Sequence, residues 1–190
     1  MIVLTGKDVE ALLPMTECIE VVERAMIGVS RGEAALPLRS VVPVGGQNRM
    51  GVMPGALSEP ACFGVKLISL FPGNPARGLS SHRGAYVLFE AETGGAVAMM
   101  DSDLLTAIRT AAASAVATRA LAREDASRLA IIGYGEQAWH HLDAICAVRP
   151  ITHVQVAGRS AEKAADFVEK AQARHPALTF TPGADFKSAV

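Results

Sequence analysis

The stretch LAIIGYGEQA, residues 129–138, runs from four apolar residues into a G-x-G-x-x-A pattern. Gly133 permits a tight turn at the end of the apolar run, and Gly135 lets the backbone approach a pyrophosphate group. Ala138 lets the following helix, predicted over residues 139–148, pack closely on its strand. The free N–H groups at the start of that helix then face the phosphates. This combination of strand, glycine turn and helix favours dinucleotide binding over a purely structural turn.

The residues that follow continue the same alternation of strands and helices. A second strand is predicted over residues 153–157, a helix over 161–174 and the beginning of a third strand over 178–181. This order is typical of a parallel, doubly wound sheet. Since a complete domain of this type has about six strands, we expect residues 126–190 to form the N-terminal half of a Rossmann-type domain. The chain is therefore expected to be truncated at its C-terminus.

The region before residue 126 has a different pattern. Two helices are predicted first, a short one capped by Thr5 and Asp8 and a second over residues 16–31. Short β-rich runs broken by Gly and Pro then predict strands over residues 36–44, 49–53, 63–71, 84–91 and 96–101. Because no helices separate these strands, the sheet should be largely antiparallel. With a long helix over residues 103–123, the fold class is α/β, an N-terminal α+β sheet domain followed by a truncated doubly wound one.

Composition and charge argue against several classes of function. Half of the residues are apolar and the net charge is −1, so neither nucleic acid nor a membrane is expected as a partner. Cys18, Cys62 and Cys146 fit neither a disulfide framework nor a zinc pattern, and no metal site is expected. His140 and His141 are expected on the exposed face of their helix. Without a signal peptide or an apolar run of the ~20 residues that a membrane span needs, the expected location is cytoplasmic.

Three cations interrupt mainly apolar segments: Arg39, Lys66 and Arg109. Strand alternation puts Lys66 on the same face as Gly64 and Ile68. Its ammonium either extends to solvent at a strand edge or lies in a pocket where it binds a carboxylate or gives up its proton, and position alone favours neither. Arg39 and Arg109 are singly better explained as surface charges. If the three converged, they would form an anion site suited to a substrate carboxylate.

The end of the second strand, Gly158-Arg159-Ser160, bears on the choice of cofactor. Domains that bind NAD usually have Asp or Glu there, which accepts hydrogen bonds from the ribose 2′-hydroxyl. This chain has no carboxylate to repel a 2′-phosphate, and it offers a guanidinium and a hydroxyl to hold one. The sequence therefore predicts NAD(P) binding with NADPH favoured over NADH. Alternatively, Ser160 caps the next helix while Arg159 lies in solvent, and the two interpretations are compatible.

With these motifs the sequence resembles the ornithine cyclodeaminase/mu-crystallin family. The resemblance covers nearly the whole chain in order and lies in GVKLIS (64–69), FPGNP (71–75), ETGG (92–95), Asp101, LTAIRTAAAS (105–114) and GYGEQA (133–138). It implies a homodimer in which residues 1–125 form the substrate-binding and dimerisation domain. Residues 126–190 would then belong to the nicotinamide-binding domain.

The resemblance also implies roles for individual residues. Arg39, Lys66 and Arg109 would bind the substrate, and Lys66, close to the reacting nitrogen, would be the catalytic residue. Arg109 would lie between the substrate and the cofactor phosphates. The other cofactor contacts would come from Ser81, Gly133, Gly135, Glu136, Gln137, Ala138, Gly158, Arg159 and Ser160. Gly158 falls where NAD-using members have an aspartate, which adds to the prediction of NADPH.

The chemistry that the resemblance implies is hydride transfer at a carbon bearing an amine or imine in a small amino or imino acid. One form converts ornithine to proline and ammonia, and another reduces a cyclic ketimine such as pyrroline-2-carboxylate or acts as an amino-acid dehydrogenase. A 2′-phosphate site fits the reductases better, because cyclodeamination recycles its cofactor. The alternative is a non-catalytic dimerisation or ligand-binding module, since the family's catalytic aspartate belongs to the C-terminal part that this sequence lacks.

Overall fold

Seven strands form one sheet in the N-terminal part of the computed structural model, which describes residues 1–183. They are β1 (Ile2–Leu4), β2 (Ala34–Ala35), β3 (Ser40–Gly45), β4 (Asn48–Leu57), β5 (Cys62–Leu70), β6 (His82–Glu90) and β7 (Ala96–Asp101). The strand order is β1-β7-β6-β5-β4-β2, and β3 also pairs with β4. All pairs are antiparallel except that of β1 with β7. The predicted antiparallel sheet is confirmed.

The sheet differs from the sequence prediction in several details. Strand β2 was not predicted, and β4 extends to Leu57, beyond the predicted end at residue 53. Strand β1 was not predicted, because three residues are too short for an alternating pattern, and it forms only by pairing in parallel with β7. The strand expected from residue 36 begins instead at Ser40. Pro37 lies within residues 36–39, which were predicted as strand but are not part of β3. Proline has no N–H to donate to a neighbouring strand.

The turn between β6 and β7 is organised by the carboxylate of Glu90. It accepts hydrogen bonds from the backbone N–H groups of Glu92, Thr93 and Gly95 and from the Thr93 hydroxyl. The Thr93 hydroxyl first, and then the N–H groups of Gly95 and Thr93, lower the pKa of Glu90 to about 2. Residues 92–95 therefore form the hairpin turn between β6 and β7, and the preceding strand supplies its main polar contact.

Two helices precede the main strands. Helix α1 (Gly6–Leu12) starts with a capping box, in which the Thr5 hydroxyl accepts from the Asp8 N–H and the Asp8 carboxylate accepts from the Thr5 N–H. Helix α2 (Met15–Ser30) begins after Pro14 and buries Cys18 and Ile19. Both helices match the prediction from apolar spacing and capping residues.

The long helix α3 (Ser102–Leu121) follows β7 directly. The Asp101 carboxylate caps it by accepting from the N–H groups of Asp103 and Leu104 at 3.0 and 3.1 Å. The small residues at its centre are buried, namely Ala107, Ala111, Ala112 and Ala115. Because these buried side chains are small, other groups can approach the helix axis closely along this face.

Strands β8 (Arg128–Ile132), β9 (His153–Ala157) and β10 (Thr179–Pro182) form a separate parallel sheet in the order β10-β9-β8. Helices α4 (Glu136–Cys146) and α5 (Ala161–Arg174) connect them. Their core is contributed by both helices and all three strands, through residues that include Ile131, Leu142, Val154, Val156, Phe167 and Phe180. The predicted alternation of parallel strands and helices is confirmed.

The C-terminal end of α3 is held by Arg149, which follows α4 and is only 9% exposed. Its guanidinium donates to four main-chain carbonyls at 2.8–2.9 Å, those of Thr118, Arg119, Ala122 and Arg123. A fifth hydrogen bond, of 2.7 Å, goes to the carbonyl of Val148. Carbonyls in the last turn of a helix lack partners within the helix, so a distant side chain satisfies them here.

The chain divides into two compact units, residues 1–106 (the first unit) and 107–190 (the second unit). The division falls inside α3, whereas the sequence interpretation set a functional boundary after residue 125. The assignment of substrate binding to residues 1–125 and of cofactor binding to 126–190 stays a prediction, and residues 184–190 lie outside the described residues. Within residues 1–183, no helix combines the length and the apolar character required to span a membrane.

Candidate functional site

Lys66 lies in the middle of β5, a strand paired on both sides with β4 and β6. Its side chain is only 7% exposed. The ammonium Nζ donates to the Thr106 hydroxyl at 2.7 Å and lies 5.4 Å from the centroid of the Tyr86 ring. Of the two alternatives for this lysine, extension into solvent is therefore wrong.

The buried ammonium of Lys66 has no carboxylate within ion-pair distance among the described residues. A hydroxyl and an aromatic face replace only part of the hydration that a buried charge loses. An ammonium has three N–H donors, and the hydrogen bond to Thr106 uses one of them. The arrangement can therefore accept an anionic group such as a carboxylate, which would balance the charge and fill the remaining donors.

The other two predicted substrate residues lie elsewhere on the chain. Arg39 is exposed in the irregular segment between β2 and β3, in the first unit. Arg109 is exposed on α3, in the second unit. Neither has a hydrogen bond or ion pair within the described part of the chain. The convergence of these two arginines with Lys66 stays a prediction.

Ser81 lies in the loop before β6 and is half-buried. Its hydroxyl is 2.9 Å from Nδ1 of His82, and its carbonyl accepts from the Phe71 N–H at 2.9 Å. The Asn74 side chain donates to the carbonyl of Ser80 at 2.9 Å, which ties the loop to a 3₁₀ turn at Asn74–Arg77. These contacts make the segment after Pro72 a well-connected loop. The cofactor role of Ser81 stays a prediction.

Two carboxylates, those of Asp101 and Asp103, lie at the start of α3. Burial first, and then the neighbouring Asp101 carboxylate, raise the pKa of Asp103. The Asp103 carboxylate also accepts from the Ser102 hydroxyl at 3.3 Å. Within residues 1–183 no group of three His, Cys, Asp or Glu side chains is arranged to hold a metal ion.

The glycine turn (residues 133–135) connects β8 to α4. Gly133 has φ +116°, a conformation that side chains disfavour, and its N–H donates to the carbonyl of Ala157 at 2.7 Å. Gly135 is the N-cap of α4, and no side chain caps the helix start. A Cβ on either glycine would meet nothing within 4 Å. Open space therefore lies above the turn, where the first N–H groups of a helix can bind an anion.

The other predicted contacts of this region lie around the same turn. Glu136 and Gln137 are exposed in the first turn of α4, and Ala138 is buried against the core. Helix α4 therefore begins three residues before the predicted start at residue 139. The exposed first turn and the uncapped N–H groups of α4 can bind the pyrophosphate of a dinucleotide. The glycine turn itself contains no cationic side chain, so backbone N–H groups would make these contacts.

A cavity of about 430 Å³ adjoins the glycine turn within the second unit. Residues of β8, the glycine turn and α4 line it, including Leu129, Ile132, Gly135, His141 and Ile145. Most of the residues that line this cavity are apolar. Phosphate groups are therefore expected to bind the N–H groups at the start of α4 and not the wall of the cavity.

His140 and His141 both depart from the expected exposed position, because each is partly buried, and His141 contacts α3. Its Nδ1 lies 2.8 Å from the carbonyl of Gln137 and its Nε2 lies 3.0 Å from the Ser114 hydroxyl. A carbonyl only accepts, so Nδ1 carries the proton in the neutral ring and Nε2 accepts from Ser114. Sequence reasoning missed this contact, which joins residues 27 positions apart.

The end of β9 is covered by an aromatic side chain that the sequence analysis did not single out. Tyr134, the middle residue of the glycine turn, accepts a hydrogen bond from the Ser160 N–H at 3.1 Å through its hydroxyl. Its ring lies against Gly158. Ser160 caps α5 by accepting from the Lys163 N–H at 3.3 Å, so the predicted cap is confirmed, and Arg159 is exposed. The only sequence signal for Tyr134 was a bulky residue between the two glycines.

Comparison with known proteins identifies the family. The model of the ornithine cyclodeaminase/mu-crystallin family matches residues 1–180. Delta(1)-pyrroline-2-carboxylate reductase of Bacillus cereus is 34% identical over 184 residues, which cover 95% of this chain and 57% of that protein. The structure of the Thermococcus litoralis enzyme of the same name, in complex with NADH and L-proline, matches with a TM-score of 0.92 and 35% identity, over 100% of this chain and 58% of the other.

An archaeal alanine dehydrogenase dimer with bound NAD matches with a TM-score of 0.88 and 30% identity, over 96% of this chain and 56% of the other. The chain thus spans little more than half the length of each of these relatives. Its own mixed sheet and parallel sheet reproduce the corresponding parts of both solved structures. The chain belongs to the ornithine cyclodeaminase/mu-crystallin family.

Proposed function

We propose that this chain is part of an enzyme that transfers hydride between a nicotinamide cofactor and an amino- or imino-bearing carbon of a small amino or imino acid. The main support for this proposal is the buried Lys66 ammonium, which uses one N–H donor for Thr106 and has no carboxylate partner among the described residues. The open glycine turn supports the cofactor part. Two of the similar proteins are Delta(1)-pyrroline-2-carboxylate reductases, so reduction of a cyclic ketimine is the favoured form.

In the proposed reaction the carbon–nitrogen double bond gains a hydride at carbon and a proton at nitrogen. The nicotinamide supplies the hydride when it is bound. Lys66 Nζ binds the substrate carboxylate and holds a proton near the substrate nitrogen, while Thr106 orients the ammonium through the 2.7 Å hydrogen bond. Burial of this group strengthens its electrostatic contacts, because little water competes with them.

The remaining predicted residues have supporting roles in this proposal. Arg39 adds a second cation for the substrate carboxylate, and Arg109 neutralises charge between the substrate and the cofactor phosphates. Ser81 contacts the nicotinamide end of the cofactor. The residues of the glycine turn and the first turn of α4 bind the pyrophosphate, as the uncapped N–H groups there suggest.

The cofactor is proposed to be NADPH in preference to NADH. The Thermococcus relative was solved with NADH, so the preference is argued from this chain alone. No carboxylate follows β9 at Gly158-Arg159-Ser160, and an exposed guanidinium and a serine hydroxyl are adjacent. A 2′-phosphate would find charge-assisted donors there and no repelling group at position 158.

The decisive test is turnover of pyrroline-2-carboxylate with NADPH or NADH by the wild-type protein and by Lys66→Met. Methionine keeps the length and removes the charge, so kcat/KM should fall about 100-fold or more, while cofactor binding measured by calorimetry stays within twofold. Lys7→Met, on an exposed lysine of α1, is the matched control and should have wild-type kcat/KM. Unchanged turnover in Lys66→Met would refute the role of Lys66. Cofactor binding without turnover of cyclic ketimines, ornithine or alanine would favour the non-catalytic module.

A further inference from the structure

The ring of Tyr134 occupies the place where a side chain at position 158 would begin. A Cβ built on Gly158 lies 2.1 Å from Cε1 and 2.7 Å from Cδ1 of the tyrosine ring. Atoms in proteins do not approach so closely, and the ring is also held at its far end by the hydrogen bond from the Ser160 N–H. Gly158 does not have positive φ. Its backbone conformation is therefore open to other residues, and the three atoms nearest to an added Cβ all belong to the tyrosine ring.

We propose that Tyr134 determines cofactor specificity by keeping position 158 free of any side chain and by offering its hydroxyl to a 2′-phosphate. This inference rests on the proposed function and deepens it. An NAD-type site needs a carboxylate after the second strand to bind the ribose 2′-hydroxyl. With the Tyr134 ring in this position, a side chain at position 158 would overlap it, so the carboxylate of an NAD-type site would require the ring to move.

Hydroxyl and guanidinium donors are present at the end of β9 in place of a carboxylate. The Tyr134 hydroxyl accepts from the Ser160 N–H, and its own proton has no acceptor among the described residues. The Ser160 hydroxyl accepts from the Lys163 N–H and likewise keeps a proton to donate. Arg159, between Gly158 and Ser160, is exposed and has no carboxylate partner in the described range. The residues at the end of β9 and the Tyr134 ring that covers it thus offer two hydroxyl donors and an exposed guanidinium, to which phosphate oxygens can accept strong hydrogen bonds.

One opposing charge lies nearby, because Glu162 is in the first turn of α5. It is exposed, and solvent weakens its repulsion of a phosphate. The positive end of the α5 dipole acts in the other direction and favours an anion. The balance of charge and donors therefore favours a phosphorylated ribose.

The binding arm of the test uses probes that carry only this end of the cofactor. Adenosine 2′,5′-bisphosphate and adenosine 5′-monophosphate are titrated calorimetrically into the wild type, Tyr134→Phe and Thr181→Val, and NADPH and NADH are titrated in parallel. Phenylalanine keeps the ring and removes the hydroxyl, so the preference for the 2′-phosphorylated ligand should fall about tenfold. Thr181→Val removes an exposed hydroxyl from β10 and should leave the preference unchanged.

The exclusion arm needs no cofactor. Gly158→Ala should lower the midpoint of thermal unfolding by about 5 °C in the wild type, because the new methyl group overlaps the ring. The same change should have little effect in a Tyr134→Ala background, where the ring is gone. Gly73→Ala is the matched control, since a Cβ there meets nothing within 4 Å and φ is negative. Tyr134→Ala combined with Gly158→Asp should shift the preference toward NADH at least tenfold.

The outcomes separate this inference from the proposed function. If the wild type binds a nicotinamide cofactor but Tyr134→Phe keeps the wild-type preference and Gly158→Ala is equally destabilising with and without the ring, the role of Tyr134 is overturned and the proposed function stands. If the wild type binds none of the four ligands, the proposed cofactor and this inference are both overturned.

Discussion

At the scale of single residues, the Lys66 ammonium is the group on which the proposed chemistry depends, and Thr106 is its one hydrogen-bond acceptor among the described residues. We expect Thr106→Val to lower the free energy of unfolding by about 2 kcal/mol, because a buried ammonium loses its acceptor. It should also raise KM more than it lowers kcat, since the ammonium loses its orientation for the carboxylate. Urea unfolding and steady-state kinetics measure the two effects.

The conservative variant Thr106→Ser keeps the hydroxyl and should recover most of the lost stability and the wild-type KM. In a Lys66→Met background the Thr106→Val change should have little effect, since the charge is absent. A valine variant with wild-type stability and KM, alongside a less stable serine variant, would mean that Thr106 contributes only its methyl group to packing.

The residues recognised from sequence and those missed differ in the range of their contacts. In the Thr5–Asp8 capping box and the Ser160 cap, the hydrogen-bonded residues are three positions apart. Such short-range pairs can be recognised from the sequence. Thr106 contacts Lys66 across 40 residues, and Tyr134 contacts Ser160 across 26. No local pattern encodes such pairs, because the intervening chain can bring many different residues together.

At the scale of elements, the end of α3 depends on a residue from another part of the second unit. We expect Arg149→Met to lower the free energy of unfolding by about 3 kcal/mol or more, because a buried charged donor is removed and several carbonyls lose their partner. Urea unfolding measures this loss, and hydrogen exchange should show faster exchange in the last turn of α3. Arg149→Lys should recover only part of the stability, since an ammonium has three donors rather than five.

The matched control for this prediction is Arg174→Met, which removes an arginine of the same unit. Arg174 is more than half exposed and pairs with Asp143 at 2.7 Å, and an exposed ion pair contributes at most about 1 kcal/mol. If both variants lost the same stability, the carbonyl contacts of Arg149 would not be what stabilises α3.

At the scale of the whole molecule, the proposed homodimer has a candidate surface on the first unit. Strand β3 is exposed along its length, with Val41, Val42 and Val44, and Leu38 just before it is 96% exposed. Contiguous exposed apolar side chains of this kind mark association sites, and the archaeal alanine dehydrogenase relative was solved as a dimer. The homodimer itself remains a proposal.

We expect Val41→Lys combined with Val44→Lys to raise the dissociation constant of the dimer at least tenfold, because each subunit would bury two ammonium groups in place of apolar side chains. Sedimentation velocity over a range of concentrations measures it. The control is Val21→Lys, at an exposed position of α2, which should leave the dissociation constant unchanged. A dimer unaffected by the double substitution would place the interface elsewhere.

The sequence by itself determined most strands and helices of both units, the glycine turn and the family, because apolar periodicity, capping residues and glycine patterns act over a few residues. Only the tertiary structure decided that Lys66 is buried with Thr106, that Arg149 holds α3, that β1 pairs with β7, and that Tyr134 covers Gly158. Each of these depends on a contact between residues far apart in the chain. Such contacts follow from how whole elements pack, and local propensity does not specify that packing.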